Sequence, residues 1–227
     1  MQVAPHEFWQ QLHAEDGLPE GVQRGGTAFA AALPDGRRIL LPIRVLPGAG
    51  DRAVASLIVN QASFAVLDAL ADMLADALRP LAPSVIVAVP TLGLPLAEGI
   101  ARRLGHARMV PLGTSRKFWY DDALSEPLNS ITTPEQAKRL YIDPRMLPLV
   151  KNGRVAVVDD VLSSGSSMRS ALRVLRHAGV VPVAIAVAML QGEAWRAPIT
   201  EEAGGCPVLG AIATPLLKNG SEGWEAA

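Results

Sequence analysis

Little in this chain is aromatic: Phe, Trp and Tyr make up 4% of its 227 residues, so Val, Ile, Leu and Ala must fill whatever core it builds. A single cysteine, Cys206, excludes a disulfide framework and any multi-cysteine metal site, and fits a reducing compartment. No stretch reaches the roughly 18 uninterrupted apolar residues of a membrane-crossing helix. The opening MQVAPHEFWQQLHAEDG carries acids and no apolar signal-peptide core. Nor is there an excess of positive charge. With 21 Lys and Arg against 22 Asp and Glu, the net charge of -1 argues against a chain whose affinity comes from neutralising the phosphates of a long nucleic acid. A small phosphorylated ligand needs only a local patch. The expectation is a cytoplasmic protein without membrane or nucleic-acid partners, in which the Asn219-Gly220-Ser221 sequon has no meaning. Also missing are a Walker lysine motif, a dinucleotide GxGxxG after a strand and a nucleophile elbow. The zinc-protease pattern HExxH fails in HEFWQQLH because Gln10 stands at its second His, and an amphipathic helix placing His6 and His13 on one face is the better reading.

What is present is a 49% hydrophobic, 19% charged composition, a globular balance with a substantial core in one domain. Residues 27–45 read as two extended segments joined at Pro34-Asp35-Gly36, a β-hairpin. In NQASFAVLDALADMLADALRP, residues Phe64, Leu67, Leu70, Leu74 and Leu78 recur at helical spacing until Pro80 stops the pattern. SVIVAVP reads as a strand covered on both faces, followed by TLGLP, the helix LAEGIARRLG and a further strand in ARMVPLG. Periodicity is lost from Thr114 to about Pro148, a long irregular segment of the kind that is functional or mobile. A second strand, loop, helix, strand unit then runs from GRVAVVDD through SMRSALRVLRHAG, stopped by Gly179, to VVPVAIAVAML. The expected fold is α/β: a twisted, mainly parallel sheet with helices on both faces. Residues 61–190 form its core. The segments 1–60 and 191–227 flank it, and the tail after Gln191 should be loose apart from a strand in VLGAIAT.

The chemistry concentrates in VAVVDDVLSSGSSMRSAL. Asp159 and Asp160 stand at the carboxyl end of a buried strand, where open α/β sheets bind ligands. Ionised carboxylates only accept, so the pair suits the vicinal hydroxyls of a ribose or a hydrated divalent cation. Ser163, Ser164, Gly165, Ser166 and Ser167 then lead into a helix. Its free amides, its dipole and the small hydroxyls make a seat for a phosphate dianion. A ribose 5-phosphate has that shape.

This stretch resembles the phosphoribosyl-pyrophosphate (PRPP) binding signature of the type I phosphoribosyltransferases, with Ala156 where a larger aliphatic is usual. AVPTLGLPLAEGIARRLG is similar to that family's pyrophosphate turn and helix, especially in adenine and xanthine members, and SRKFWY stands where their mobile catalytic loop begins. The resemblance implies that Asp159 and Asp160 hold the ribose 2′ and 3′ hydroxyls directly or through Mg²⁺. It implies that Ser163 to Ser167 take the 5-phosphate. Thr91, Leu92 and Gly93 would meet pyrophosphate, often through a cis peptide in this family. Leu92 stands where adenine-type relatives tend to have Arg. The resemblance also implies that the flanking segments 1–60 and 191–227 build a small hood.

The implied activity is Mg²⁺-dependent transfer of 5-phosphoribose from PRPP to a nucleobase, a purine first, by a homodimer. Arg116 and Lys117 would stabilise the leaving group, and Trp119 and Tyr120 would cover the base or ribose. The alternatives are a PRPP-sensing regulator without catalysis, an enzyme specific for pyrimidine or orotate, and an enzyme making PRPP. The last would need an ATP site and a duplicated domain, for which the chain has neither motif nor length. Asp121 and Asp122 read as a solvated turn. Arg102, Arg103, Arg169, Arg173 and Arg176 read as solvent-facing charges on helices, Arg169 lying nearest the phosphate loop.

Overall fold

The computed structural model describes residues 3–23, 25–128, 138–221 and 223–227, so residues 129–137 of the irregular segment lie outside the described residues. The chain opens with short strands β1 (Leu12–His13) and β2 (Gly21–Val22), then β3 (Ala28–Ala32), β4 (Arg38–Leu46) and β5 (Ala49–Ala55). β3 and β4 are the expected hairpin. Leu33 and Arg37 close its turn through a 2.8 Å hydrogen bond, Asp35 accepts from the Arg37 amide at 3.0 Å, and Gly36 takes φ +88°. The start of the chain is not the helix its pattern suggests. Pro5–Glu7 form one 3₁₀ turn, and Leu12 and His13 pair with Ile39 and Arg38 of β4. Edge pairing and the burial of Phe8 and Trp9 win over helical spacing.

Helix α1 (Phe64–Leu78) begins where the Ser63 hydroxyl accepts the Val66 amide at 3.2 Å, an N-cap, and ends ahead of Pro80. Its buried face is Val66, Leu70, Leu74 and Leu78, each contributing about 1.5–3 kcal/mol of hydrophobic stabilisation. Phe64, read above as part of that face, is 85% exposed because the stripe begins two residues later.

Then follow β6 (Val85–Ala88), α2 (Gly93–Arg103), β7 (Val110–Pro111), the small antiparallel pair β8 (Ser125–Pro127) and β9 (Arg139–Tyr141), and α3 (Leu147–Lys151). The remainder of the chain is β10 (Val155–Leu162), α4 (Ser166–His177), β11 (Ala184–Gln191), α5 (Arg196–Ala203), β12 (Val208–Thr214), β13 (Leu216–Gly220) and β14 (Gly223–Ala226). Gly179, at φ +73°, ends α4 as expected.

The core sheet is parallel, in the order β12-β11-β10-β6-β7. Alternation along β10 serves two faces. Ala156 and Val158 pack with α1, α2 and the antiparallel sheet, whereas Val155 and Val157 pack with α4 and α5. The first face is lined by small residues, Ala88, Ala156, Ala184, Ala186 and Ala188, which let helix and sheet approach closely. Ala156 therefore fits its layer.

The tail is more ordered than the sequence suggests. β13 pairs with β5 and β14 with β13, so both ends of the chain join one antiparallel sheet, β14-β13-β5-β4-β3-β2, with β1 beside β4. Gln191, at the end of β11, donates to the Ala55 carbonyl at 2.8 Å and ties this sheet to the core. No helix among the described residues is long and apolar enough to cross a membrane.

Candidate functional site

Strand order places the site. From β6 the chain moves outward to β7, and from β10 it moves the opposite way to β11 and β12, so the direction reverses between β6 and β10. The crevice beyond the carboxyl ends at such a reversal is where open α/β sheets bind ligands. The turn Thr91–Gly93 leaves β6 there and the acid pair rides on β10 beside it.

The two pieces touch. A β-carbon built on Gly93 would lie 2.9 Å from Asp159 Cα, 3.0 Å from the Val158 carbonyl oxygen and 3.1 Å from Asp159 Oδ1. Only a residue without a side chain lets the turn sit this close. The Pro90–Thr91 peptide is cis. Thr91 is exposed, Leu92 half-buried and Gly93 buried as the first residue of α2.

The acids do not end their strand, which continues to Leu162. Asp159 is buried, and its Oδ1 accepts the Asp160 amide at 2.9 Å; Asp160 is half-buried. Burial pushes the Asp159 carboxyl well above the usual carboxylate range, and the neighbouring Asp160 charge pushes it further. Burial also raises Asp160, against a hydrogen bond from Asp159 that lowers it. Without a ligand the pair therefore shares charge poorly, and a cation or hydroxyl donors would relieve it. Among the described residues no group of three or more His, Cys, Asp or Glu could hold a metal. Two carboxylates suit Mg²⁺, which keeps waters and leans on substrate oxygens rather than on an all-protein cage.

Gly165, at φ +80°, caps α4, and its carbonyl accepts the Arg169 amide at 2.9 Å. Residues 161–168 line a concavity of about 150 Å³ around it, with Ser164 and Ser167 exposed and Ser163 and Ser166 half-buried. The Ser166 amide approaches Ser164 Oγ at 3.4 Å. Acid pair, serine loop and Thr91–Gly93 turn thus share one edge of the sheet.

Arg116, Lys117, Trp119 and Tyr120 sit in a separate cluster. The Arg116 guanidinium donates to both oxygens of Asp122, at 2.8 and 3.2 Å. That pairing raises Arg116 and lowers Asp122 from their ordinary values. Lys117 is exposed. Trp119 donates to Asp143 at 3.3 Å and lies 4.6 Å beneath the Arg145 guanidinium, and the Tyr120 ring packs 5.7 Å from Tyr141. The Arg145 guanidinium holds the Asp143 carboxyl down at about 2. Among the described residues no hydrogen bond or ion pair joins this cluster to the acid pair.

The helix arginines are not idle surface charges. Arg103 grips Asp68 and Asp72 of α1 at 2.8 and 2.5 Å. Arg169, Arg173 and Arg176 all converge on Glu202, whose side chain is 6% exposed. Spacing along α4 places the three arginines on one stripe, a signal the sequence carried; their target, near the end of α5, it did not. Trp195 and Ile199, which pack against Gly165, were likewise missed.

Comparison with known proteins bears on the same residues. The family model described as phosphoribosyl transferase domain matches residues 56–206. The bifunctional protein PyrR of Mycolicibacterium paratuberculosis is 33% identical over 109 residues, 45% of this chain and 53% of that protein. A hypoxanthine/guanine phosphoribosyltransferase of Methanohalobium evestigatum is 30% identical over 108 residues, 48% of this chain and 52% of that protein. The chain thus spans about half the length of these two relatives. In fold, the adenine phosphoribosyltransferase of Giardia lamblia, solved with 9-deazaadenine, aligns at a TM-score of 0.60. It is 19% identical and covers 77% of this chain and 93% of that one.

Proposed function

The chain belongs to the phosphoribosyl transferase domain family, and on that premise we propose that it transfers 5-phosphoribose from PRPP to a nitrogenous base, a purine by preference, releasing pyrophosphate. The observation that supports this reading is the contact of Gly93 with Asp159, which brings the Thr91–Gly93 turn, proposed to meet pyrophosphate, against the acid pair, proposed to hold the ribose, at the topological switch point. The serine loop, a few residues further along the same strand and turn, then takes the 5-phosphate on the amides that open α4.

Each group has one task. Asp159 and Asp160 accept from the ribose 2′ and 3′ hydroxyls and keep negative charge near an anomeric carbon that becomes positive as the bond to pyrophosphate breaks. Asp159 and Asp160 would hold Mg²⁺, directly or through water, and its positive charge would be available to offset the charge of the leaving group. Arg116, with Lys117 beside it, supplies cations to the departing pyrophosphate after exchanging Asp122 for that anion. The base is assigned to the cavity of about 490 Å³ at the carboxyl ends of β11 and β12. Its apolar walls, including Leu190, Trp195 and Leu216, suit a flat heterocycle, and its Trp195 wall backs onto the phosphate loop. Purine preference is supported by the hypoxanthine/guanine relative.

A second reading is a PRPP-binding regulator. Leu92 in place of a cation in the turn, and the engagement of Arg116 by Asp122, favour it. Incubation with PRPP, Mg²⁺ and a panel of purines, pyrimidines and orotate, followed by mass detection of nucleotides, separates the two. Nucleotide from a purine supports the transferase, nucleotide from orotate or a pyrimidine alone moves the specificity, and PRPP binding with no product from any base overturns the enzyme in favour of the regulator.

A further inference from the structure

The floor of the 5-phosphate loop comes from residues outside the stretch VAVVDDVLSSGSS. At Gly165 a β-carbon would lie 3.2 Å from Ile199 Cδ1 and Cγ1 and 3.7 Å from Trp195 Cα, so the loop rests on α5 and the residue just before it. Ile199 and Trp195 are 1% and 5% exposed, so the floor is a buried, packed surface. One turn beyond Ile199 on α5, the buried Glu202 carboxylate receives three guanidiniums from α4. Arg169 Nε lies 3.6 Å away, Arg173 Nε donates at 3.0 Å and Arg176 Nη1 lies at 2.7 Å, while Arg176 Nη2 also donates to the Glu202 carbonyl at 2.9 Å. One carboxylate therefore pins α5 against the helix whose first turn carries the serine loop. The carboxylate also offsets the mutual repulsion of three like charges stacked along α4, a repulsion that solvent partly screens because the arginine side chains are 37–60% exposed. As a helix, α5 (Arg196–Ala203) has no strand partner in the sheet, so its seat depends on this cluster and on the apolar contacts of Ile199 and Ala203.

We propose that Glu202 is a positioning residue for the 5-phosphate loop: by holding α5 through Arg169, Arg173 and Arg176 it fixes the Ile199 and Trp195 surface on which Gly165 sits. The inference rests on the phosphoribosyl reading of the site. Its effect is selective. The serine loop depends on α5, whereas the Thr91–Gly93 turn is seated on β10 through Gly93 and does not. Loss of the pin therefore weakens ligands carrying a 5-phosphate and leaves pyrophosphate binding alone.

Calorimetry on the full chain with Mg²⁺, using PRPP, ribose 5-phosphate and pyrophosphate as separate probes, tests this. Glu202→Gln should weaken PRPP and ribose 5-phosphate by about tenfold or more, with pyrophosphate within about twofold of wild type, and Glu202→Asp should recover most of the loss. Ile199→Val, which removes the Cδ1 atom against Gly165 and spares the charge cluster, should give the same selectivity at about threefold, and serves if Glu202→Gln does not fold. Unchanged ribose 5-phosphate affinity in the folded variants, or an equal fall for pyrophosphate, overturns the proposal. Failure of the wild-type chain to bind PRPP or ribose 5-phosphate instead overturns the phosphoribosyl reading beneath it.

Discussion

Gly93 and Asp159 are packed backbone to backbone: the space where a Gly93 side chain would begin is 2.9 Å from Asp159 Cα. The turn after one strand and the acid of its neighbour are thereby in direct contact, with no room for a side chain between them.

Gly93→Ala forces them apart. Over-packing of this kind costs about 1–3 kcal/mol. Because the displaced atoms are the site itself, PRPP affinity should fall by at least about tenfold. Thermal melting and PRPP titration measure both; an alanine variant that binds PRPP like wild type would mean that the turn and the acids act separately.

Asp159 carries its carboxyl well above the usual range because it is buried beside Asp160. A raised carboxylate pKa means that the folded state holds the proton more tightly than the unfolded chain. Stability therefore falls as pH rises from the ordinary carboxylate range toward the folded value. Asp159→Asn keeps the carbonyl that accepts the Asp160 amide and removes this burden. It should melt higher than wild type at neutral pH, with the difference shrinking as the pH is lowered, while losing ribose binding. Melting curves across the pH range check the sign, and a less stable asparagine variant at neutral pH contradicts it.

Arg116 is exposed and its ion pair with Asp122 is a surface one that contributes little to the fold. Arg116→Ala should leave the melting temperature nearly unchanged and PRPP affinity within a few-fold, yet lower turnover by about 10²-fold if the guanidinium meets the leaving group. Asp122→Asn frees the same guanidinium and should not lower turnover. Steady-state kinetics on the base that the panel assay identifies decide this.

Asp143 is held at about 2 by Arg145 and accepts from Trp119. Its depressed carboxyl stabilises the fold above the ordinary carboxylate value and loses that contribution as pH falls toward about 2. With Arg145 largely exposed, solvent screening keeps that contribution small. Asp143→Ala should release Trp119, seen as a red shift and increased quenching of tryptophan fluorescence at neutral pH. An unshifted spectrum would show that the Arg145 stacking alone holds the ring.

Much of the architecture was legible because its signals are local. The run Val155–Val158, the apolar stripe of Leu67, Leu70, Leu74 and Leu78 stopped by Pro80, and the Pro34–Gly36 turn each encode an element within a few residues. The acid pair and serine loop were legible for the same reason, since strand end and helix start adjoin in sequence. Failures came where distant contacts overrode local pattern. HEFWQQLH has helical spacing but is drawn out by pairing with β4, and the tail that looked loose is ordered by β5, a partner more than 150 residues away. Phe64 was assigned to a face that begins only at Val66.

The sequence by itself determined that an acid pair and a hydroxyl-rich loop adjoin, because that depends only on residue type and on spacing along one strand and one loop. Only the tertiary structure decided what those groups rest on. That Gly93 abuts Asp159, that Ile199 floors Gly165 and that Glu202 collects three arginines are meetings of residues far apart in the chain. They are fixed by the order of parallel strands and by how helices fill the two faces of the sheet, and no window of sequence contains that information.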